Sequence, residues 1–109
     1  MNLVALIGNL ATDVEVRELG EERKLASFLL AVDRGADGAD FVRVTAWDGQ
    51  AEPCARFLRK GSRVGVSGRL RSRSWEEEGK RRTAVEVSAH RVDFLSKPAA
   101  EAPFEAAVA

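Results

Sequence analysis

The sequence predicts an all-β protein, a five-stranded barrel with one short helix between strands 3 and 4. Three observations carry the expectation. Most of the chain alternates apolar and polar residues with period two, the mark of strands. Glycines interrupt long strand-like stretches at Gly8, Gly65 and Gly68, where a small sheet can bend far enough to close on itself. Between Asp48 and Gly61 the period becomes helical. With 109 residues the chain has material for one hydrophobic core and not for a second domain. Its 45% apolar and 31% charged residues fit a soluble globular protein and exclude a disordered or membrane-spanning one.

Taken in order, residues 2–10 are rich in aliphatics and bend at Gly8, giving the first strand. Residues 13–19 alternate Val14 and Val16 with Glu15 and Arg17, a strand with one wet face, and Gly20-Glu21-Glu22 turns it. Residues 24–32 are the second long strand. Residues 33–40 contain Gly35, Asp37, Gly38 and Asp40 and no aliphatic larger than alanine, so they are a loop, and 41–47 resume strict alternation. In the helix, Ala51, Cys54, Ala55 and Leu58 recur at i, i+3, i+4 and i+7, with Phe57 beside them. Asp48 or Gly49 suits its start and Gly61 its end, and Pro53 must fall in its first turn. Residues 62–75 and 82–95 are two further strands, joined by the turn Glu76-Glu77-Glu78-Gly79-Lys80. Residues 1–95 are thus expected as the folded domain. Residues 96–109, Ala, Pro and Glu with Phe104 and Val108 as the larger apolar groups, are expected as a disordered C-terminal tail.

Seventeen basic side chains balance seventeen acidic ones, but not evenly along the chain. Residues 1–52 carry a net charge of −5, residues 53–75 carry +7 without one carboxylate, and residues 76–109 carry −2. An acid-free basic stretch of that length is a candidate anion-binding surface. Arginine also outnumbers lysine 13 to 4. Its planar fork suits phosphate and stacks on flat groups, although a GC-rich genome produces the same bias.

Side chains two apart on a strand share a face. Phe41, Arg43, Thr45 and Trp47 therefore point one way and Val42, Val44 and Ala46 the other, which must be the core. Arg69, Arg71, Arg73 and Trp75 likewise share a face, opposite Leu70, Ser72 and Ser74. Both tryptophans of the chain thus stand on basic, solvent-facing strand surfaces. Flat rings offer a platform to bases of any sequence, and interleaved cations track the phosphates that join them. Duplexes hide their base faces, so such platforms serve a single strand. Aromatics are also enriched in subunit interfaces, and that reading stays open for Phe41, Trp47 and Trp75.

The remaining reactive residues read as structural. His90 is the one histidine and has no second metal ligand beside it. Cys54 lies on the apolar helix face without an activating partner and cannot form an internal disulfide, which suits a reducing compartment. Glu76, Glu77 and Glu78 suit a charged hairpin tip that resists edge pairing better than a cation site. No catalytic residue, metal or cofactor is expected, and the chain is not expected to be an enzyme. The first apolar run is five residues, against about 20 for a membrane span, so a cytoplasmic, nucleoid-associated location without membrane contact is expected.

Over residues 1–95 the chain resembles the bacterial single-stranded DNA-binding protein (SSB) family. The carriers are Met1-Asn2-Leu3-Val4-Ala5-Leu6-Ile7-Gly8-Asn9-Leu10, Asp13-Val14-Glu15-Val16-Arg17, Asp40-Phe41-Val42-Arg43-Val44, Phe57-Leu58-Arg59-Lys60-Gly61-Ser62 and Gly68-Arg69-Leu70-Arg71-Ser72-Arg73-Ser74-Trp75. The resemblance implies an OB-fold barrel that binds single-stranded DNA without strong sequence preference in replication, recombination or repair. It implies stacking on Phe41, Trp47 and Trp75, with basic contacts at Arg17, Arg43, Lys60, Arg71 and Arg73; the strand face adds Arg69. It also implies a homo-oligomer, a tetramer, with the first strand among the pairing edges.

Three features depart from the family pattern. The loop at residues 33–40 is short and has no aromatic, and Asp48-Gly49 replaces a lysine common after the aromatic at Trp47. The family's long tail with an acidic Pro-Phe tip is reduced to Pro103-Phe104 ahead of Glu105-Ala106-Ala107-Val108-Ala109. A short form or paralogue that does not recruit replication or repair proteins through its tail is the expectation. The alternative is a protein-interaction or primosome-accessory module of the same fold. Stacking does not separate DNA from RNA, so that preference stays open.

Overall fold

The computed structural model describes residues 1–21 and 23–95. Its elements are β1 (Val4–Leu10), β2 (Glu15–Glu18), β3 (Lys24–Asp33), β4 (Ala39–Trp47), α1 (Ala51–Phe57), β5 (Arg63–Glu77) and β6 (Lys80–Phe94). They form one sheet of order β1-β5-β6-β4-β3-β2, in which β1 also pairs with β3. The strands β1, β3, β4, β6 and β5 therefore close into a five-membered ring, the OB-fold arrangement, with α1 between its third and fourth long strands. The ring closes through a short parallel junction, Val44 opposite Val87 and Thr45 opposite Ser88. The other pairings are antiparallel.

The sixth strand does not enlarge the barrel. β1 and β2 lie end to end along one edge of β3: Leu10 faces Leu30, and after a break Glu15 faces Ser27. Across the break the Ala11 amide donates to the Leu29 carbonyl (2.7 Å), and the Leu29 amide donates to the Thr12 hydroxyl (3.1 Å). A side-chain oxygen there takes the place of a strand carbonyl, so the edge stays satisfied while the chain changes direction.

Alternation fills the barrel. Ala26, Phe28 and Leu30 of β3, Val44 and Ala46 of β4, Val64 and Val66 of β5, and Val87 and Ala89 of β6 are buried. α1 plugs one end with Ala51 and Cys54, and Leu58 follows them inward from just past the helix. Two of the sequence's strand glycines mark backbone crossings. A Cβ on Gly8 would lie 2.3 Å from the Ala31 carbonyl oxygen, where β1 passes from β5 to β3. One on Gly68 would lie 2.1 Å from the Ser88 carbonyl oxygen, at the bulge where β5 shifts register against β6. Side-chain amides add two clamps: Asn2 brackets the Leu70 backbone from both sides at 2.8 Å, and Gln50 binds the His90 carbonyl and the Val92 amide.

Two local expectations change. The turn at residues 76–80 shrinks to Glu78-Gly79, both at positive φ (53° and 78°), because a two-residue turn of that hand matches strand twist. Glu76, Glu77 and Lys80 thereby join the strands, and Glu77 pairs with Arg82 at 3.6 Å. The helix ends at Phe57, and Leu58 takes its buried place in extended conformation (φ −97°, ψ 143°), leaving Phe57 exposed. His90 is exposed and Cys54 buried, as expected, and burial pushes the Cys54 thiol up to about 11. The expected disordered tail, residues 96–109, lies outside the described residues.

Candidate nucleic-acid interface

Strand register assembles the candidate site as a ladder across three strands. Arg17, Leu25 and Trp47 form one rung; Glu15, Ser27 and Thr45 the next; Leu29 with Arg43 and Ala31 with Phe41 complete it. The β5–β6 hairpin rises beside this ladder with Arg71, Ser72, Arg73 and Glu86, enclosing an open groove of about 340 Å³. Phe41 and Trp47, six residues apart on β4, stand about 20 Å from each other along the strand. Phe41 is 62% exposed.

Each tryptophan carries an arginine over its ring, and a carboxylate holds that arginine. The Arg23 guanidinium carbon lies 5.5 Å from the Trp47 ring centre, and Arg23 Nε donates to Asp48 Oδ1 at 3.3 Å. The same Asp48 oxygen accepts the Lys24 amide at 3.2 Å. On the hairpin, the Arg73 guanidinium carbon lies 5.0 Å from the Trp75 ring centre and its Nε bonds Glu86 Oε1 at 3.2 Å. Guanidinium over an indole face is attractive through the ring quadrupole. Asp48 thus positions the arginine over Trp47.

Of the sequence-selected residues, Arg17, Arg43, Trp47, Arg71 and Arg73 meet in the groove. Phe41 lies on the same β4 face at its far end, and Trp75 continues the Arg71–Arg73 row toward the hairpin tip. Arg69 faces Ser88 beside the bulge and does not line the groove. Lys60 is apart from it, on the turn after α1, where its amide donates to Asp13 Oδ1 at 2.7 Å. Thr45 departs from the wet face: it is 4% exposed, because it sits at the β4–β6 junction, and its hydroxyl donates to the Val87 carbonyl at 3.4 Å. Among the described residues Arg17, Arg43, Lys60, Arg69 and Arg71 form no ion pair. Arg73 does, with a glutamate that register brings from β6.

Two residues of the site were missed by period-two reasoning. Arg23 lies in a turn, on no strand face; the signal was that Leu25, two positions on, pairs with Trp47. Glu86 is visible only once Arg71 is set opposite it.

A closed β-barrel whose open groove carries unpaired arginines beside flat rings defines a class: binding proteins for polyanionic strands. The chain belongs to the single-strand binding protein family, whose model matches residues 1–95. It is a binding protein rather than an enzyme. It is 43% identical over 102 residues to "Single-stranded DNA-binding protein 3" of Clostridium acetobutylicum, covering 87% of this chain and 71% of that one. It is equally 43% identical to "Single-stranded DNA-binding protein" of Clostridium tetani (87% and 70%). Identity to "Single-stranded DNA-binding protein A" of Bacillus subtilis is 42%, over 87% of this chain and 59% of that one.

Proposed function

We propose that this chain binds single-stranded DNA without strong sequence preference and shields it during replication, recombination or repair. Bases stack on Phe41, Trp47 and Trp75, and phosphates meet Arg17, Arg43, Lys60, Arg69, Arg71 and Arg73. The observation that carries this reading is the groove itself, which Arg17, Arg43 and Arg71, none of them in an ion pair, line together with Trp47. Stacking contributes about 1–3 kcal/mol per base and is indifferent to base identity. The family's named relatives support DNA as the strand.

The chain acts as a homo-oligomer, a tetramer by family likeness. The edge at β1 supports this, since Leu3, just before the strand, and Ile7 on it are 73% and 55% exposed and apolar surface of that kind gains by cover. It works in the cytoplasm at the nucleoid, a location in keeping with the absence, among the described residues, of a helix long and apolar enough to cross a membrane.

The test is a titration with oligo(dT) at two salt concentrations, followed by tryptophan fluorescence. Quenching that weakens with salt is expected. With about four phosphates neutralised per chain, log affinity falls against log salt with a slope near −3, from about 0.7 per contact. Quenching absent at low salt rejects the reading.

A further inference from the structure

The groove leaves one strongly basic, aromatic patch unused. Phe57 at the end of α1 is 61% exposed and Phe94 at the end of β6 is 40% exposed. Their ring centres are 6.2 Å apart at 57°, and the Arg56 guanidinium carbon lies 5.4 Å from the Phe57 ring centre. Arg59 and Lys60 follow on the next turn. That turn is fixed by the Lys60 amide on Asp13, the Gly61 amide on the Leu10 carbonyl (2.8 Å), and the Arg59 amide on the Ser62 hydroxyl (3.0 Å). Among the described residues Arg56, Arg59 and Lys60 form no ion pair. Exposed rings beside unpaired cations on a rigid support repeat the makeup of the groove.

We infer that Phe57 and Phe94, with Arg56, Arg59 and Lys60, form a second stacking subsite for the same single strand after it leaves the groove. This rests on the single-strand reading of the groove. The register supplies the path. Lys60 is tied to Asp13, and Asp13 is two residues before Glu15, which lines the groove; two residues of chain span at most about 7 Å. The Asp13 carboxylate is engaged by the Lys60 amide, and the carboxylate next to Phe94, Asp93, is paired with Arg91 at 2.8 Å. The other acid on the α1 flank, Glu52, pairs with Lys24 at 3.7 Å. Three free cations therefore face a polyanion with little local competition, which favours a nucleic-acid strand over an apolar protein surface. The subsite also accounts for Lys60 standing outside the groove.

Two variants of the full chain test this. Phe57→Ser alters an exposed side chain. Binding of short oligo(dT), long enough for the groove alone, is expected to stay unchanged. Affinity for long oligo(dT) is expected to fall by about 5- to 150-fold, the loss of one stacked base. Phe57→Trp adds an emitter, whose extra fluorescence is expected to be quenched by long oligonucleotides and not by short ones. Unchanged long-strand affinity in the serine variant, or extra emission that survives saturation, overturns the subsite. So does a change of oligomer mass in Phe57→Ser with DNA binding intact, which assigns the patch to contacts between copies. Failure of the unaltered chain to bind even short oligo(dT) is a different result, and rejects the groove reading instead.

Discussion

Arg73 and Trp75 are stacked, guanidinium carbon to ring centre 5.0 Å, while Glu86 holds the arginine by its Nε. A phosphate that takes this arginine competes with the carboxylate for its charge. Glu86→Gln is expected to raise affinity for oligo(dT) a few-fold and to steepen the salt slope by about 0.7, as Arg73 becomes available for one more phosphate. An unchanged slope in salt titrations of the variant means Arg73 serves the ring and not the backbone.

The three platforms are expected to act separately. Trp47→Ala, Trp75→Ala and Phe41→Ala should each weaken oligo(dT) binding by about 1–3 kcal/mol, with similar losses on mixed-sequence strands. Equilibrium titration by fluorescence anisotropy measures this, and a loss confined to one base composition contradicts stacking without readout.

Arg43→Gln and Arg71→Gln remove cations that no described carboxylate engages. Each is expected to flatten the slope of log affinity against log salt by about 0.7, uniformly across sequences. Thermal melting of each variant should be close to that of the parent, because exposed unpaired cations contribute little to stability.

Gly68→Ala puts a methyl group 2.1 Å from the Ser88 carbonyl oxygen and 2.9 Å from the Ala89 Cα, both backbone atoms. Stability is expected to fall by about 1–3 kcal/mol, read as a lower urea midpoint. Ala at Gly49, where an added methyl meets nothing within 4 Å, is the control expected to leave the midpoint nearly in place.

Burial raises the Cys54 thiol from 9.0 to about 11. The unfolded chain loses this proton first, so the folded state binds more protons between pH 9 and 11 and stability falls as pH rises through that window. Denaturant midpoints from pH 8 to 11 should drop more for the parent than for Cys54→Ala. Parallel curves mean the thiol is not the titrating group.

The parts of the site that share one strand were legible from spacing: Phe41, Arg43 and Trp47 follow from period two, and so does the Arg71–Arg73–Trp75 row. What depends on which strands meet was not. Thr45 alternates with the wet residues, yet the parallel junction with β6 buries it. Arg23 comes to Trp47, and Glu86 to the groove, through registers between distant segments. Phe57 was placed only beside the apolar helix face, and spacing did not show that it is exposed. The backbone leaves the helix one residue later, and Leu58 fills that place. Gly8 and Gly68 were legible as bends, since close backbone approach excludes a side chain whatever the neighbours are.

The hairpin and the ring differ in how they are held. Asn2 stops the β1–β5 edge at Leu70, and β6 meets β4 at Val44 and Thr45, so beyond these points β5 and β6 support each other alone. Trp47 is fixed to the closed ring, whereas Trp75 rides on a two-stranded ribbon whose twist is set by the ribbon itself. The two tryptophans are thus held differently, one by the closed frame and one by an arm that reaches beyond it.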